Sequence, residues 1–155
     1  MEGPRFLSAE DRFAIQDLLF RFMRSFDAKD WVGMQACLSE QVDCDYSSFR
    51  GGPPSKTTRS EYAKQREIAL EHLRTQHDLS NIVLTPLGMM VEVRCNYAIR
   101  RFHPDFDGSR EKFFHSYGQY RFIVSRTTDV WHISAITQFL SMSEGNPELH
   151  GALRK

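Results

Sequence analysis

Asp27 and His77 are the residues of this sequence whose types and positions best suit acid–base chemistry. Asp27 lies where a predicted helix ends, and His77 lies where a predicted strand begins. If the helix covers the sheet, the carboxylate can accept the Nδ1 proton of the imidazole and leave Nε2 as a general base. The commoner role of such residues is structural, with Asp27 paired locally to Lys29 and His77 buried in the core. The spacing in the sequence does not decide between these two interpretations.

The helix that carries Asp27 is predicted from a cap and an apolar stripe. Ser8 and Asp11 resemble a capping box, and apolar residues recur at helical spacing from there to about Phe26. Because successive helix residues turn by about 100°, Asp27 falls on the flank of the buried stripe. A carboxylate at that position is desolvated unless another group pairs with it.

Short elements separated by turns are predicted between Asp27 and His77. Residues 30–38 read as a second helix, and residues 42–49 read as a strand that ends in the Gly-Gly-Pro-Pro turn. Residues 58–74 read as a further helix, which a second capping box opens. His77 would then follow directly after this helix.

Four longer strands are predicted in the second half of the chain, over residues 77–85, 89–103, 111–126 and 130–141. Apolar and polar residues alternate along the second of them from Met89, which is typical of a half-buried antiparallel sheet. Helices followed by such strands predict an α+β fold. We expect a cone-shaped, curved, antiparallel or mixed β-sheet, covered by the N-terminal helices around a hydrophobic pocket.

Length, charge and cysteine content restrict the class of protein. The 155 residues suffice for a single domain, with a core at about residues 8–141 and a polar tail at residues 144–155. Twenty basic and twenty acidic side chains balance, so we expect a small neutral molecule or a protein as partner, and neither nucleic acid nor a membrane. Three cysteines without C-x-x-C spacing argue against a disulfide framework or a zinc knuckle. With no signal-peptide pattern or apolar span, a cytoplasmic location is predicted.

Three segments in order resemble the scytalone dehydratases of the SnoaL-like, nuclear transport factor 2-like (NTF2-like) superfamily. They are Ser25-Phe26-Asp27-Ala28-Lys29-Asp30-Trp31, Val42-Asp43-Cys44-Asp45-Tyr46-Ser47-Ser48-Phe49 and Leu73-Arg74-Thr75-Gln76-His77. The resemblance covers roughly residues 8–141. It implies an NTF2-like or cystatin-like α+β barrel whose enzymes need no metal or organic cofactor and eliminate water from a hydroxy-ketone.

By this resemblance the catalytic residues are Asp27, His77, Tyr46 and Ser116. Asp27 would orient His77, and His77 would remove a proton from the carbon next to a carbonyl. Tyr46 would polarise that carbonyl, and Ser116 would support the site. Without the resemblance, Tyr46 reads equally well as a core aromatic residue, and Ser116 reads better as an exposed strand serine.

The substrate-binding set implied by the resemblance is Phe26, Trp31, Phe49, Ile99, Arg101 and Gly118. Three of these positions depart from the family pattern. Phe26 stands where the family has a tyrosine, Gly118 falls where it has an asparagine, and Arg101 lies near its second histidine. We therefore expect the fold of the scytalone dehydratases, with substrate contacts that differ from theirs.

Other chemically capable residues are interpreted as structural. The loop His103-Pro104-Asp105-Phe106-Asp107 has the composition of a turn, and no metal site is predicted there. His72 and His150 are expected at the surface, while His115 and His132 are expected to project from strands. No cysteine has the context of a reactive thiolate.

The leading hypothesis is a cofactor-independent dehydratase acting on an aromatic or polyketide-like hydroxy-ketone. The same parts suit an isomerase or polyketide cyclase, because those reactions also pass through an enolate. A non-catalytic module that binds a hydrophobic ligand or a protein is the alternative of a different class. By resemblance we also expect a homo-oligomer, either a trimer or a dimer.

Overall fold

The computed structural model describes residues 6–151 as an α+β fold in which helices cover one face of a single sheet. The helices are α1 (Ala9–Ala28), α2 (Trp31–Cys37), α3 (Ser47–Arg50) and α4 (Arg59–Leu70). The strands are β1 (Leu38–Asp45), β2 (Ser55–Thr58), β3 (Arg74–Leu87), β4 (Met90–Phe102), β5 (Phe113–Thr127) and β6 (Val130–Gly145). Two 3₁₀ turns span Arg110–Lys112 and Pro147–Leu149.

The sheet has the strand order β2-β1-β6-β5-β4-β3. β1 runs parallel to β6, and the other neighbouring strands are antiparallel. β2 and β3 form the two edges, so the mixed sheet is open rather than closed into a barrel. The predicted α+β class with a mixed sheet under N-terminal helices is confirmed.

The predicted cap and apolar stripe define helix α1. The Ser8 hydroxyl accepts a hydrogen bond from the backbone N–H of Asp11 at 3.0 Å, and the helix ends before Lys29, whose backbone is left-handed. The stripe is buried over Ile15, Leu18, Leu19, Phe22 and Phe26. Helix α1 packs against β3, the strand that carries His77.

The chain between residues 38 and 58 differs from the prediction. β1 begins at Leu38 and ends at Asp45, whereas residues 42–49 were predicted as the strand. The Asp45 carboxylate accepts hydrogen bonds from the backbone N–H and the hydroxyl of Ser47, and this local turn starts α3 in place of further strand. The edge strand β2 was missed because its four residues, Ser-Lys-Thr-Thr, are polar and few.

The later elements are predicted well, apart from their ends. Helix α4 has the predicted capping box of Thr58 and Glu61 but ends at Leu70 rather than at Arg74. The alternation of β4 begins after Met89, which is 74% exposed beside the turn at Gly88. β6 continues to Gly145, and the 3₁₀ turn at 147–149 follows it, so the predicted polar tail is largely ordered structure. Residues 152–155 of that tail, and residues 1–5, lie outside the described residues.

The hydrophobic core lies between the helices and the inner face of the sheet. It combines the α1 stripe with alternate residues of the strands, such as Val91, Val93, Phe122 and Ile133. No helix within residues 6–151 is long and apolar enough to span a lipid bilayer. The residues predicted to do chemistry all follow or adjoin elements that face this core.

Candidate active site

Strand register aligns three of the predicted site residues. His77 on β3 lies opposite Ile99 on β4, and Ile99 lies opposite Ser116 on β5. Residues directly opposite one another share a face of the sheet, and Arg101, two positions beyond Ile99, shares it as well. All four are buried. The sheet therefore carries a row of site residues under the helices.

Asp27 and His77 form a hydrogen-bonded pair. Asp27 Oδ1 lies 2.7 Å from His77 Nδ1, and Asp27 Oδ2 accepts the backbone N–H of His77 at 2.9 Å. The hydroxyl of Thr75 donates to Asp27 Oδ1, also at 2.9 Å. The carboxylate thus holds both the backbone and the ring of His77. With the Nδ1 proton donated to Asp27, the lone pair of the ring lies on Nε2.

Lys29 explains how the end of α1 is held beside the start of β3. Its ammonium donates to the carbonyl oxygens of Leu70 and Leu73, at 2.8 and 2.5 Å. These carbonyls lie at the end of α4 and in the turn before β3. Lys29 therefore fastens α1 to that turn, and the local Asp27–Lys29 pair considered from the sequence is replaced by the contact between Asp27 and β3.

Phe26 stacks on the imidazole of His77, with ring centroids 4.5 Å apart and an interplanar angle of 28°. Burial lowers the pKa of His77, against the opposing effects of the hydrogen bond and the charge of Asp27. A lowered pKa keeps the imidazole neutral at pH 7, which is the protonation state that a general base requires. Phe26 thus supplies a flat wall where the family resemblance predicted a polar hydroxyl.

Tyr46 lies at the start of α3, and its hydroxyl is 2.6 Å from the hydroxyl of Tyr62 on α4. Burial raises the pKa of Tyr46 well above its ordinary value, so the phenol is neutral and can donate a hydrogen bond. Tyr62 was predicted only as a core residue of the helix. The structure makes it the hydrogen-bond partner of Tyr46.

A narrow cavity opens between this pair and the dyad. It is lined by Phe26, Tyr46, Phe49, Arg50, Arg66, Leu70, His77, Ile99, Arg101, Tyr120, Gln138 and His150. Its interior volume is about 20 Å³, and with its open mouth it contains about 340 Å³ of atom-free space. The interior as it stands has room for about one water molecule.

Six of the ten residues predicted for the site line this cavity: Phe26, Tyr46, Phe49, His77, Ile99 and Arg101. Asp27 lies behind His77. Ser116 lies behind Arg101 and accepts a hydrogen bond from Arg101 Nη1 at 3.0 Å. The structure therefore brings eight of the ten together, either in the wall or directly behind it.

Trp31 and Gly118 are the two predicted site residues that the structure places elsewhere. Trp31 donates from its indole N–H to Glu71, away from the cavity. Gly118 lies at a bulge where β5 shifts register against β6, and a Cβ atom there would lie 1.9 Å from the carbonyl oxygen of Phe139. No side chain fits at this glycine without a change in β6.

Four polar residues of the cavity wall were missed: Arg50, Arg66, Gln138 and His150. Arg66 carried a readable signal, because it lies at helical spacing from the buried residues Tyr62, Ala69 and Leu70. A charged residue on the apolar stripe of a helix indicates a buried functional group.

His150 was predicted at the surface, and this was wrong. The 3₁₀ turn after β6 folds His150 back over the cavity, where it is 5% exposed and packs edge-to-face on Phe49. Burial, with the nearby positive charge of Arg101, lowers the pKa of His150 to about 2. The C-terminal segment therefore covers one side of the cavity with a neutral imidazole.

The remaining reactive groups have structural partners. His103 Nδ1 accepts the backbone N–H of Asp105, and Asp107 pairs with Lys112, as expected in a turn. Burial raises the pKa of Cys44 to about 11, which keeps it a thiol. Within residues 6–151, no group of three His, Cys, Asp or Glu side chains lies close enough together to hold a metal ion.

A wider depression of about 480 Å³ lies on the opposite face of the sheet, between β1, β2, β5 and β6. Its wall includes Asp43, Lys56, Arg121 and Thr137, and Lys56 pairs with Asp43 there. Asp43 and Lys56 are highly exposed, and the part of the wall formed by residues 6–151 contains no histidine. The smaller cavity beside His77 is therefore the candidate active site.

Solved structures with the same fold cover nearly the whole chain. A Kribbella flavida protein, Kfla4162, superposes with a TM-score of 0.82 at 22% identity, covering 94% of this chain and 99% of that one. A Novosphingobium aromaticivorans protein provisionally described as a scytalone dehydratase gives 0.72 at 19% identity, covering 89% and 93%. A Streptomyces avermitilis protein provisionally described as an NTF2-like dehydratase gives 0.72 at 15% identity, covering 87% and 99%. These likenesses show the fold.

The family is shown by the sequence itself. No curated protein matches the chain. Residues 7–137, which include both members of the dyad, match the model of the SnoaL-like domain. Together with the NTF2-like fold, this match shows that the chain belongs to the SnoaL-like domain family.

Proposed function

We propose that this protein is a cofactor-independent lyase that eliminates water from a hydroxy-ketone with His77 as its base. The observation that carries the proposal is the hydrogen bond between Asp27 and His77 Nδ1 at the wall of the cavity. It fixes the ring tautomer in which Nε2 is basic. The two structural neighbours provisionally described as dehydratases add support at the level of fold.

The first step is removal of a proton from the carbon next to the substrate carbonyl. Nε2 of His77 takes the proton, the C–H bond breaks, and its electron pair forms the enolate. Asp27 stabilises the resulting imidazolium, and the neutral hydroxyl of Tyr46, accepting a hydrogen bond from Tyr62, donates its own proton in a hydrogen bond to the enolate oxygen. A neutral donor and a neutral base are the forms that burial favours at this site.

The second step expels the β-hydroxyl group. The enolate electrons form the new C=C bond as the C–O bond breaks, and protonated His77 returns its proton to the departing oxygen. Water leaves, and His77 is neutral again. One imidazole therefore serves first as base and then as acid, so the reaction consumes no external reactant.

An isomerase or a polyketide cyclase would use the same enolate and the same dyad. The substrate contacts decide among these reactions, and two of them differ from the resemblance. Phe26 stacks on His77 in place of a hydroxyl donor, and Gly118 has no side chain to hold a leaving hydroxyl. The proposed lyase therefore relies on His77 for both proton transfers and on Tyr46 to stabilise the enolate oxygen.

A module that only binds a ligand is the second candidate. It is favoured by the small interior of the cavity, about 20 Å³, and by the apolar wall that Phe26 lays against the base. In that case the dyad would serve as a buried structural pair. Ligand binding without turnover is the behaviour that distinguishes this candidate.

Turnover of a panel of cyclic β-hydroxy-ketones, followed by the absorbance of the new conjugated ketone, tests the lyase. We expect His77→Gln and Asp27→Asn each to lower the rate by at least about 10²-fold, as loss of a general base does. His132→Gln is the matched control, because His132 lies on β6 between the buried residues Trp131 and Ile133 and points to the outer face. It should leave the rate unchanged.

Two results would count against the lyase. One is absence of wild-type turnover on every member of the panel together with ligand binding that His77→Gln does not change. The other is a wild-type rate that survives both dyad substitutions in folded protein. The first result would favour the binding module, and the second would show that turnover does not use the dyad.

A further inference from the structure

Three arginine side chains reach the same cavity from three different elements. Arg50 ends α3, Arg66 lies on the buried stripe of α4, and Arg101 lies on the inner face of β4. The guanidinium groups of Arg50 and Arg66 lie 4.8 and 5.1 Å from the ring centroid of Tyr46, and that of Arg101 lies 5.4 Å from the centroid of Phe49. A chain with a formal net charge of zero thus concentrates positive charge in its cavity.

These arginines have no carboxylate partner within residues 6–151. None of the ion pairs formed there includes Arg50, Arg66 or Arg101. The Asp27 carboxylate is occupied by hydrogen bonds from Thr75 and His77. Among the described residues, the cavity wall contains no Asp or Glu.

Arg66 and Arg101 are deeply buried, at 5% and 2% exposure, and the Nε atom of each has no hydrogen-bond partner within residues 6–151. Within residues 6–151, the guanidinium of Arg101 donates to two neutral oxygens, those of the Ser116 hydroxyl and the Phe114 carbonyl. Arg66 lies over the neutral phenol ring of Tyr62. Burying a guanidinium charge without an opposite charge is strongly unfavourable, so these two side chains indicate a site that an anion completes.

The walls beside the arginines are flat and aromatic. Phe26, Tyr46, Phe49 and Tyr120 contribute rings to the cavity. The interior of the cavity, about 20 Å³, has room for about one water molecule, so the ring of a ligand would lie at the open mouth, against these aromatic side chains. The planar fork of a guanidinium matches the two oxygens of a carboxylate.

We infer that the ligand of this cavity is a small planar-ring compound bearing a carboxylate, which Arg66 and Arg101 bind. As a statement about the substrate, this inference rests on the proposed function and narrows it to a hydroxy-ketone that also carries a carboxylate. Composition alone favoured a small neutral molecule or a protein as partner. The local charge of the cavity, rather than the net charge of the chain, sets the ligand class.

Calorimetric titration of the wild-type protein with benzoate and with benzamide tests the inference, because the two probes share a ring and differ in charge. We expect benzoate to bind at least about tenfold more tightly, in line with a charge-assisted contact to a guanidinium. Arg101→Gln and Arg66→Gln should each remove that preference. The control is Arg94→Gln, on the same strand as Arg101 but pointing outward, and it should change neither affinity.

Equal affinity for benzoate and benzamide would overturn the inference, as would failure of benzoate to bind at millimolar concentration. A benzoate preference that survives both glutamine variants would overturn it as well. Arg101→Lys keeps a positive charge in the cavity, so retention of part of the preference in this variant supports the inference even if Arg101→Gln fails to fold.

The two proposals fail in different ways. His77→Gln should still prefer benzoate while losing turnover, because Arg66 and Arg101 are unchanged. If the wild type shows no turnover but clearly prefers benzoate, the lyase proposal is rejected and the inferred anion site is retained. If substrates with and without a carboxylate turn over equally well, the anion-site inference is rejected and the lyase proposal is retained.

Discussion

Replacing Asp27 with asparagine removes an acceptor at a place where both carboxylate oxygens are used. Oδ1 accepts from the Thr75 hydroxyl and from His77 Nδ1, and Oδ2 accepts from the backbone N–H of His77. An amide has one oxygen, and its NH₂ group only donates. In one orientation the NH₂ group faces the backbone N–H of His77. In the other it faces Nδ1, which must then accept, so the ring proton moves to Nε2.

The expected changes in kcat/KM and in unfolding free energy follow from these two orientations of the new side-chain amide in the Asp27→Asn protein. If the proton moves to Nε2, the base is lost, and kcat/KM should fall by about 10²- to 10⁴-fold. If the ring stays as it is, a backbone donor is left facing another donor, which costs about 1–3 kcal/mol of unfolding free energy. That cost is small against a typical stability of about 5–15 kcal/mol, so the Asp27→Asn protein should fold.

Imidazole ¹⁵N chemical shifts, measured beside turnover, report the tautomer directly. We expect Nδ1–H in the wild type and Nε2–H in Asp27→Asn. Removing the carboxylate also leaves the effect of burial on His77 unopposed, so the pKa of His77 should fall further and the acid limb of the pH–rate profile should move to lower pH. An unchanged tautomer with turnover within about threefold of wild type would refute the role given to Asp27.

Three other substitutions test separate parts of the structure. In steady-state assays, Tyr46→Phe should lower kcat by about 10²-fold with little change in KM, because the hydroxyl stabilises the enolate and not the bound substrate. An equal effect on kcat and KM would contradict this. Lys29→Met leaves two carbonyl oxygens without their donor, so urea unfolding should show a loss of about 1–3 kcal/mol, whereas exposed Arg24→Met should show none. For His150, whose folded pKa of about 2 lies below its ordinary value, the unfolded chain gains a proton below about pH 6.5 and the folded chain does not. As the pH falls below about 6.5, the unfolding free energy of the wild type should therefore decrease by about 1.4 kcal/mol per pH unit more than that of His150→Gln. Urea unfolding at pH 7 and pH 5 measures this, and an equal loss of unfolding free energy in the two proteins would contradict it.

The parts of the site that follow regular elements could be predicted. A cap at Ser8 and an apolar stripe fix the length of α1, and the stripe ends beside Asp27. The period-2 alternation of β4 places Ile99 and Arg101 on its inner face, although the conclusion drawn from composition did not use the charge of Arg101. The Asp27–His77 contact itself needed the family resemblance, because nothing in the sequence spacing brings a helix end to a particular strand.

The parts that depend on irregular backbone could not be predicted. Tyr46 faces the cavity because a side-chain turn between Asp45 and Ser47 ends β1 early, and a strand pattern contains no sign of that turn. His150 reaches the site because the chain folds back after β6, a tertiary contact without a periodic signal. Arg66 is different, since its helical spacing from Tyr62 and Ala69 on the apolar stripe of α4 suffices to predict its burial.

The bulge at Gly118 has a consequence for how this site can change over generations. Tyr117 pairs with Met142 while Gly118 pairs with Leu140, so Ser141 is an extra residue in β6. Because any Cβ at Gly118 would collide with the backbone of β6, a point mutation cannot place a polar side chain there without first deforming that strand. Introducing a polar side chain at Gly118 therefore requires loss of the extra residue from β6 in the same step. The contacts that this position offers to a substrate can therefore change only together with the length of β6, and not by substitution at Gly118 alone.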